Sequence, residues 1–464
     1  MNTGRGWLAI ALAGLLVACS SAAPVTPGSS AALVPVASPA SASPSQAGAV
    51  TPAVPTAVPT ATAAAAPSNG PLPTVAPTLA PSAVPTLAAT PTVARTATPE
   101  PLPTVAPTIA PTTEPTTEPT AQPTAEPSPT APPAAVTVLA GGGTDDPGNE
   151  GPATSALLRH PTGIAVGPDG TVWIVDSNSD RLRAVTPDGI IHTRAQGFDG
   201  ASGVAVADDG TAYVADRGGY IVVKVGARGK LVVVAGMQYK AGFSGDRGAA
   251  KRARLSQPYD VATDAAGNIY IVDSSNQRIR FVDARTLKIS TIVGNGTRAF
   301  AGDGGLAKNA SLDSPQTIAV DPAGTVMYIG DYGNARLRRV DLITGIITTV
   351  AGTGSGYGPY DPAKTGVETA VNRIIAVAMD AAGNAYMPVF YNDLGTTIMR
   401  LDPAGTLTRV AGGGRAGSTS TAPWEIVLSA VDCLEIDPFT GALLICQQQG
   451  TILAVPEVAE PAGQ

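Results

Sequence analysis

The stretch from Gly294 to Gly305, GNGTRAFAGDGG, has the glycine spacing of a phosphate-binding loop. In such a loop the backbone N–H groups of a tight turn cradle the anion, and a helix must open directly after the glycines within a βαβ unit. Neither a helix nor a Lys-Ser/Thr pair follows here, and similar loops recur along the chain, so these residues read as turn glycines. Asp176, Asp216, Asp273 and Asp331 also recur at one position, with Arg181, Arg278 and Arg336 following in three of the copies. They could form a ring of carboxylates for cations. Regular recurrence favours the plainer reading, in which each Asp caps its own turn and pairs with its own Arg. Asp246 and Asp303 could serve Ca²⁺, but that ion takes six to eight oxygens and no local run supplies them. His160 and His192 are the only histidines. No serine motif has a histidine partner and no Cys/His spacing suits zinc. No catalytic residue, metal site or cofactor is therefore assigned, and binding is expected rather than catalysis.

One loop is chemically distinct. Tyr239, Lys240, Arg247, Lys251, Arg252 and Arg254 lie close together with Phe243, against the single acid Asp246. Such a group could hold an anionic glycan, a phosphate or an acidic protein; the plain alternative is a solvated loop. Tyr357, Tyr360 and Trp424 in other loops could add aromatic anchors, the residue type that dominates many interfaces. Cys433 and Cys446 face each other if the turn between them centres on Phe439 and Thr440. A disulfide is favoured over two free thiols, because exported domains sit where such bonds persist.

These residues sit on a repeat. PTGIAVGPDGTVWIVDSNSDRLRAV (161–185) returns as ASGVAVADDGTAYVADRGGYIVVKV (201–225), PYDVATDAAGNIYIVDSSNQRIRFV (258–282) and PQTIAVDPAGTVMYIGDYGNARLRRV (315–340), and more loosely at 374–401 and 431–455. Ala165, Ala205, Ala262, Ala319, Ala378 and Glu435 are equivalent positions. Self-similarity at this spacing signals a repeat architecture. Each copy reads as strands parted by Gly-containing turns, followed by a fourth strand such as ISTIVG or IITTVAG. Four antiparallel strands make a propeller blade, and six copies predict an all-β, six-bladed propeller. The last copy lacks a fourth strand, which AVTVLAGG at 135–142 should supply, closing the ring. The blade-to-blade loops, about 15 to 20 residues, are expected to converge on one face around the channel mouth.

The P-x-x-I-A-V opening, D-x-x-G-x-x-Y-I-x-D and R-I/L-R-x-V resemble the NHL repeat family over residues 135–457. The resemblance implies a six-bladed propeller and a glycine-rich blade connector. Some six-bladed relatives are lyases or lactonases. Lyases of that type use several histidines around a channel metal, which two histidines cannot reproduce.

The ends carry a different message. Arg5 precedes an apolar run from Trp7 to Val17, too short to span a bilayer but suited to an export signal. It ends in LVAC, which resembles the lipobox of bacterial lipoproteins and implies a signal over 1–18 and lipidation at Cys19. Residues 19–134 are almost wholly Ala, Pro, Thr, Val and Ser. Closely spaced prolines forbid helix and sheet, so a disordered, extended stalk is expected, with a short disordered tail at 458–464. The stalk and signal hold only six charged residues, leaving a mildly acidic head (27 basic and 32 acidic residues) that offers no whole-domain pull on nucleic acid. The expectation is a monomeric propeller head, lipid-anchored outside a bacterial cytoplasm, that binds an unidentified protein or surface polymer through its long loops. The alternatives are a propeller enzyme of lyase or lactonase type with a non-histidine channel site, and a passive envelope protein.

Overall fold

A computed structural model describes residues 135–456; the signal, Cys19 and the stalk lie outside the described residues, as does the tail. Those residues form six antiparallel blades of four strands, the first extended to five by the two-residue strand Gly151–Pro152. Their inner strands are Pro161–Val166, Ala201–Val206, Pro258–Thr263, Thr317–Val320, Ala378–Met379 and Val431–Ile436. Each inner strand contacts the next, and the sixth contacts the first, so the ring is closed. The strand Thr137–Gly141 pairs with Thr451–Val455 as the outer strand of blade 6. Chain entry and exit thus share one sheet, which leaves no open seam in the ring.

Local chemistry sets the strand ends. In blade 1 the turn after the inner strand places Gly170 at φ +78°, a conformation glycine adopts without a Cβ penalty. The Asp169 carboxylate accepts the Thr171 N–H at 3.0 Å. The following strand, Val172–Asp176, then buries all but Trp173 deeply. Apolar side chains leave both sides of each sheet, so the core is divided among the blade interfaces. Tyr270, Val272 and Ile279 of blade 3, for instance, pack with Met327, Ile329 and Ile347 of blade 4. Another such layer, joining blades 6 and 1, includes Ile174, Ile191, Leu444 and Ile452.

Polar side chains stitch the inner strands together. Thr162 Oγ1 donates to the Ser202 carbonyl, and Ser202 Oγ to that of Tyr259. Asp260 accepts the Ile318 N–H at 3.0 Å, Thr317 Oγ1 the Val377 N–H, and His160 meets Asp432 at 2.7 Å. Five of the six seams carry such a bond. Gly203 belongs to this belt: a Cβ there would lie 2.3 Å from Asp260 Oδ1, so the carboxylate occupies the space that a side chain would take.

Cys433 and Cys446 are directly opposite in blade 6 and disulfide-bonded, with Cα atoms 5.0 Å apart. A loop of this length predicts a stabilisation of about 2–3 kcal/mol. Reduction should therefore lower the melting temperature by several degrees, and the C433S/C446S variant should melt at the reduced protein's temperature without responding to thiol. An unchanged melt on full reduction would show that the bond contributes nothing.

Candidate functional site

The glycine-rich connectors are consumed by the fold. In the connector to blade 4, Phe300 lies 3.7 Å from the Arg336 guanidinium carbon and 4.9 Å from that of Arg338. Asp303 pairs with Arg338, whose side chain is wholly buried and reaches Asp331 Oδ2 at 3.2 Å. The connector to blade 3 repeats the arrangement with Phe243, Arg278, Arg280, Asp246 and Asp273. The glycines answer to these arginines: a Cβ on Gly296 would lie 2.1 Å from Arg278 Nη1. Asp246 and Asp303 are thus spoken for by guanidinium groups.

The recurring aspartates act as the sequence suggests, with one correction. Each receives a backbone N–H from the residue that leads into its blade: Arg159 and His160 on Asp176, Asp199 on Asp216, Ser256 on Asp273, Asp313 on Asp331. In blades 3 and 4 the Asn of the adjacent turn also donates to it. The paired arginine, however, is the second of the R-x-R, Arg280 or Arg338. Arg278 and Arg336 instead donate to the carbonyls of Asn276 and Asn295, and of Asn334 and Thr353. Arg181 pairs with Asp146 rather than Asp176. A long side chain reaches the diagonal cross-strand neighbour, and here that neighbour is the one under the sheet rather than at its rim.

The expected convergence of the connectors on the channel mouth also needs correction. Their middles lie at the outer rim, in the seams between outer strands. Ala250 accepts the N–H of Gly236, which follows blade 2's outer strand, and donates to Leu287, just before blade 3's outer strand. Ala307 and Gly366 repeat this between later blades. The connector from blade 1 to blade 2 is only four residues, 197–200. A connector that splices two outer strands runs around the ring, away from its axis.

The axis holds a cavity of about 410 Å³. His160, Tyr259, Gln316, Asp432 and Gln448 line one part of it, and Val166, Val206, Val320 and Met379 another. Asp260 faces it with both oxygens accepting backbone N–H groups, from Val261 and Ile318; burial still pushes its carboxyl up to about 6. Glu435 faces it too. Burial, with repulsion from Asp260 and Asp437, pushes its carboxyl up to about 8. The sequence reading missed Glu435 and Asp260 as site residues. The signal was present: Glu435 stands where the other five blades have alanine.

On the face that carries the turns between second and third strands, aromatic and arginine side chains pair with one another. Arg217 lies 5.2 Å from the Tyr259 ring centre. Arg373 lies 5.1 Å from that of Tyr332 and donates to its hydroxyl at 3.2 Å. Tyr357 and Phe390, 65% and 40% exposed, meet edge to face.

Comparison with known proteins adds the family context. Residues 158–184 match the NHL repeat, and residues 230–300 match the teneurin NHL domain. The head is a six-bladed propeller whose first and third blades carry this NHL similarity. Mouse teneurin-1 is 25% identical over 232 residues, which cover 42% of this chain and 8% of teneurin-1. The chain therefore spans a small part of that relative. A Bacteroides thetaiotaomicron structural-genomics protein of unknown function shares the fold at TM-score 0.52 and 20% identity, over 69% of this chain and 75% of that one. An auxiliary nutrient binding protein from Bacteroides ovatus does so at TM-score 0.52 and 15% identity, over 70% and 77%. These two likenesses are of fold.

The residues grouped by their closeness in sequence take different places on the ring. Tyr239 donates its N–H to Gly219 O and so lies beside a second-to-third-strand turn, with Lys240 next to it. Arg247, Lys251 and Arg252 lie on the rim, where the Arg247 N–H meets Ile289 O and Lys251 and Arg252 occupy the short turn packed on blade 2's outer strand. Arg254 gives its N–H to Ser244 and its carbonyl to Arg280. Tyr360 packs edge-on against buried Tyr391, which makes it a core contact. Trp424 is half-buried in the turn Pro423–Glu425 beside blade 5's outer strand. His192 is also on the outer strand, 2.9 Å from Glu150.

Proposed function

We propose that this protein is an exported interaction module, held to a bacterial membrane by lipid on Cys19 and carried outward by the 19–134 stalk. In this reading a partner protein docks on the propeller face that bears the second-to-third-strand turns. An NHL-type propeller supports a protein-interaction role. One observation carries the choice of face. The large arginines of the blades, Arg183, Arg280 and Arg338, are buried and committed to the connectors, whereas Arg217, Arg373, Tyr259, Tyr332, Tyr357 and Phe390 pair with one another at the strand ends and loops of this face. Arginine and aromatic side chains are the types that anchor interfaces. The Cys433–Cys446 bond agrees with an oxidising compartment outside the cytoplasm.

The enzyme reading draws on the three channel carboxyls, Asp260, Asp432 and Glu435. Asp260 already spends both oxygens on backbone amides and Asp432 is paired with His160, while the exposed aromatic and arginine side chains favour binding.

The test is capture from the native envelope with the full chain. The R217A/Y357A/R373A variant should lose the partner at least tenfold, while the rim variant R247A/K251A/R252A should retain it. Retention by the first variant, or loss through the rim variant alone, would reject the face assigned here.

A further inference from the structure

The axial cavity has a charge pattern that the fold does not use. His160, Asp260, Asp432 and Glu435 line it, with no lysine or arginine among its described lining residues. The histidine is taken by Asp432 at 2.7 Å, and Asp260 by two backbone amides. Glu435 makes no side-chain hydrogen bond among the described residues, and its charged neighbours, Asp260 and Asp437, repel it. Its level in the ring is otherwise made of Ala165, Ala205, Ala262, Ala319 and Ala378, all lining the cavity. Small methyl groups there leave room beside the carboxyl, and the valines and Met379 offer apolar contact. A volume of about 410 Å³ falls in the range of small-molecule pockets.

We propose that the axial cavity is a binding site for an aliphatic ammonium group, whose positive head meets the Glu435 carboxylate while its carbon chain contacts the alanine and valine walls. A bare metal ion fits less well, because no group of three or more metal-ligating side chains occurs among the described residues. The ammonium could belong to a free amine or to a lysine side chain of another protein. Tyr259 belongs to both the cavity and the docking face, but Arg217, Tyr357 and Arg373, the residues changed to test that face, do not line the cavity.

Glu435, pushed up to about 8, holds its proton at pH 7, and the incoming cation favours the carboxylate. Binding then releases that proton to the buffer, giving a carboxylate–ammonium pair in place of a neutral acid and a free cation. Tyr259 also faces the cavity, but burial raises its hydroxyl further from neutrality, so it does not compete as the proton source.

Calorimetric titration of the full chain tests this. n-Butylammonium and n-butanol would be compared at pH 7 in two buffers of different ionisation heat, with Nα-acetyl-lysine N-methylamide as a third probe. The amine should bind at least tenfold more tightly than the alcohol and release close to one proton. E435Q, and E435A as a second variant that restores the alanine ring, should each weaken amine binding at least tenfold and abolish the release. If the lysine derivative binds as well, a protein lysine is the natural source; if the simple amine alone binds, a free amine is. Equal binding by butanol, no amine binding at millimolar concentration, or unchanged binding by both variants would overturn the proposal.

Discussion

Replacing Arg338 with alanine is expected to destabilise the propeller by about 3–5 kcal/mol, the loss typical of breaking a buried ion pair from one side. The Arg338 side chain is fully buried between Asp331 and Asp303, and Phe300 covers it. Without it, Asp331 keeps its burial and loses its counter-charge. That carboxyl already stands at about 6, because desolvation outweighs its hydrogen bonds and the guanidinium. Arg336 is the control. It is the residue directly opposite Asp331 across the strands, yet it donates only to carbonyls and stacks on Phe300, so R336A should cost about 1 kcal/mol. The D331N/R338M double variant should lie within about 1–2 kcal/mol of wild type, because apolar replacement of both charges relieves the desolvation penalty. The other blades already contain such solutions. The positions matching Asp331 and Arg338 are Val389 and Met399 in blade 5, both wholly buried. In blade 6 they are Gln447 and Leu453, and Gln447 still accepts the Ser429 N–H. Urea unfolding of the four proteins checks this. Additive single effects, or an R336A loss as large as that of R338A, would refute the clamp.

Much of this was legible in the sequence, and the failures have physical causes. The blades were readable because strand alternation, Gly turns and the six-fold return of one pattern all point to the same fold. The Asp–Arg pairing was half readable. Recurrence identified the residues, but adjacency in the register does not say which of two arginines on one sheet face turns inward. Connector paths were not readable, since a Gly-rich loop of some twenty residues can close over an axis or splice two outer strands. Its route depends on backbone bonds such as Gly236 N–H to Ala250 O, which recur from connector to connector without the recurrence saying where they lie. The grouping of Tyr239 with Arg247 rested on closeness in sequence, whereas their backbone partners, Gly219 and Ile289, belong to different blades. Glu435 was readable in a column of alanines, because a lone carboxyl at an otherwise small, cavity-lining position breaks the repeat without serving it.

That carboxyl predicts an unusual pH dependence. Glu435 titrates near 8 in the folded protein, against about 4.5 as a free side chain. A raised acid makes the folded state bind more protons than the unfolded chain throughout that interval. Its stabilising contribution is therefore complete below pH 4.5 and is lost as pH rises through 8. Asp260 and Asp331, both raised to about 6 from 3.8, act in the same direction over a lower and narrower window. Carboxylates at the turns, such as Asp169 and Asp283, are instead held low by hydrogen bonds, so their contribution fades only as the pH falls below the ordinary carboxylate range. Stability should peak near pH 4–5 and decline toward pH 8. One fully coupled group gives a slope of at most about 1.4 kcal/mol per pH unit, and contact with the cavity reduces it, so Glu435 should account for about 2 kcal/mol between pH 5 and 8. The E435A variant removes both the strained carboxyl and that slope. Its urea midpoint should exceed that of wild type at pH 8 and match it closely at pH 5. A variant that keeps the wild-type decline would place the titrating group elsewhere, and one that is weaker at pH 8 would mean that the Glu435 carboxylate supports the ring rather than straining it.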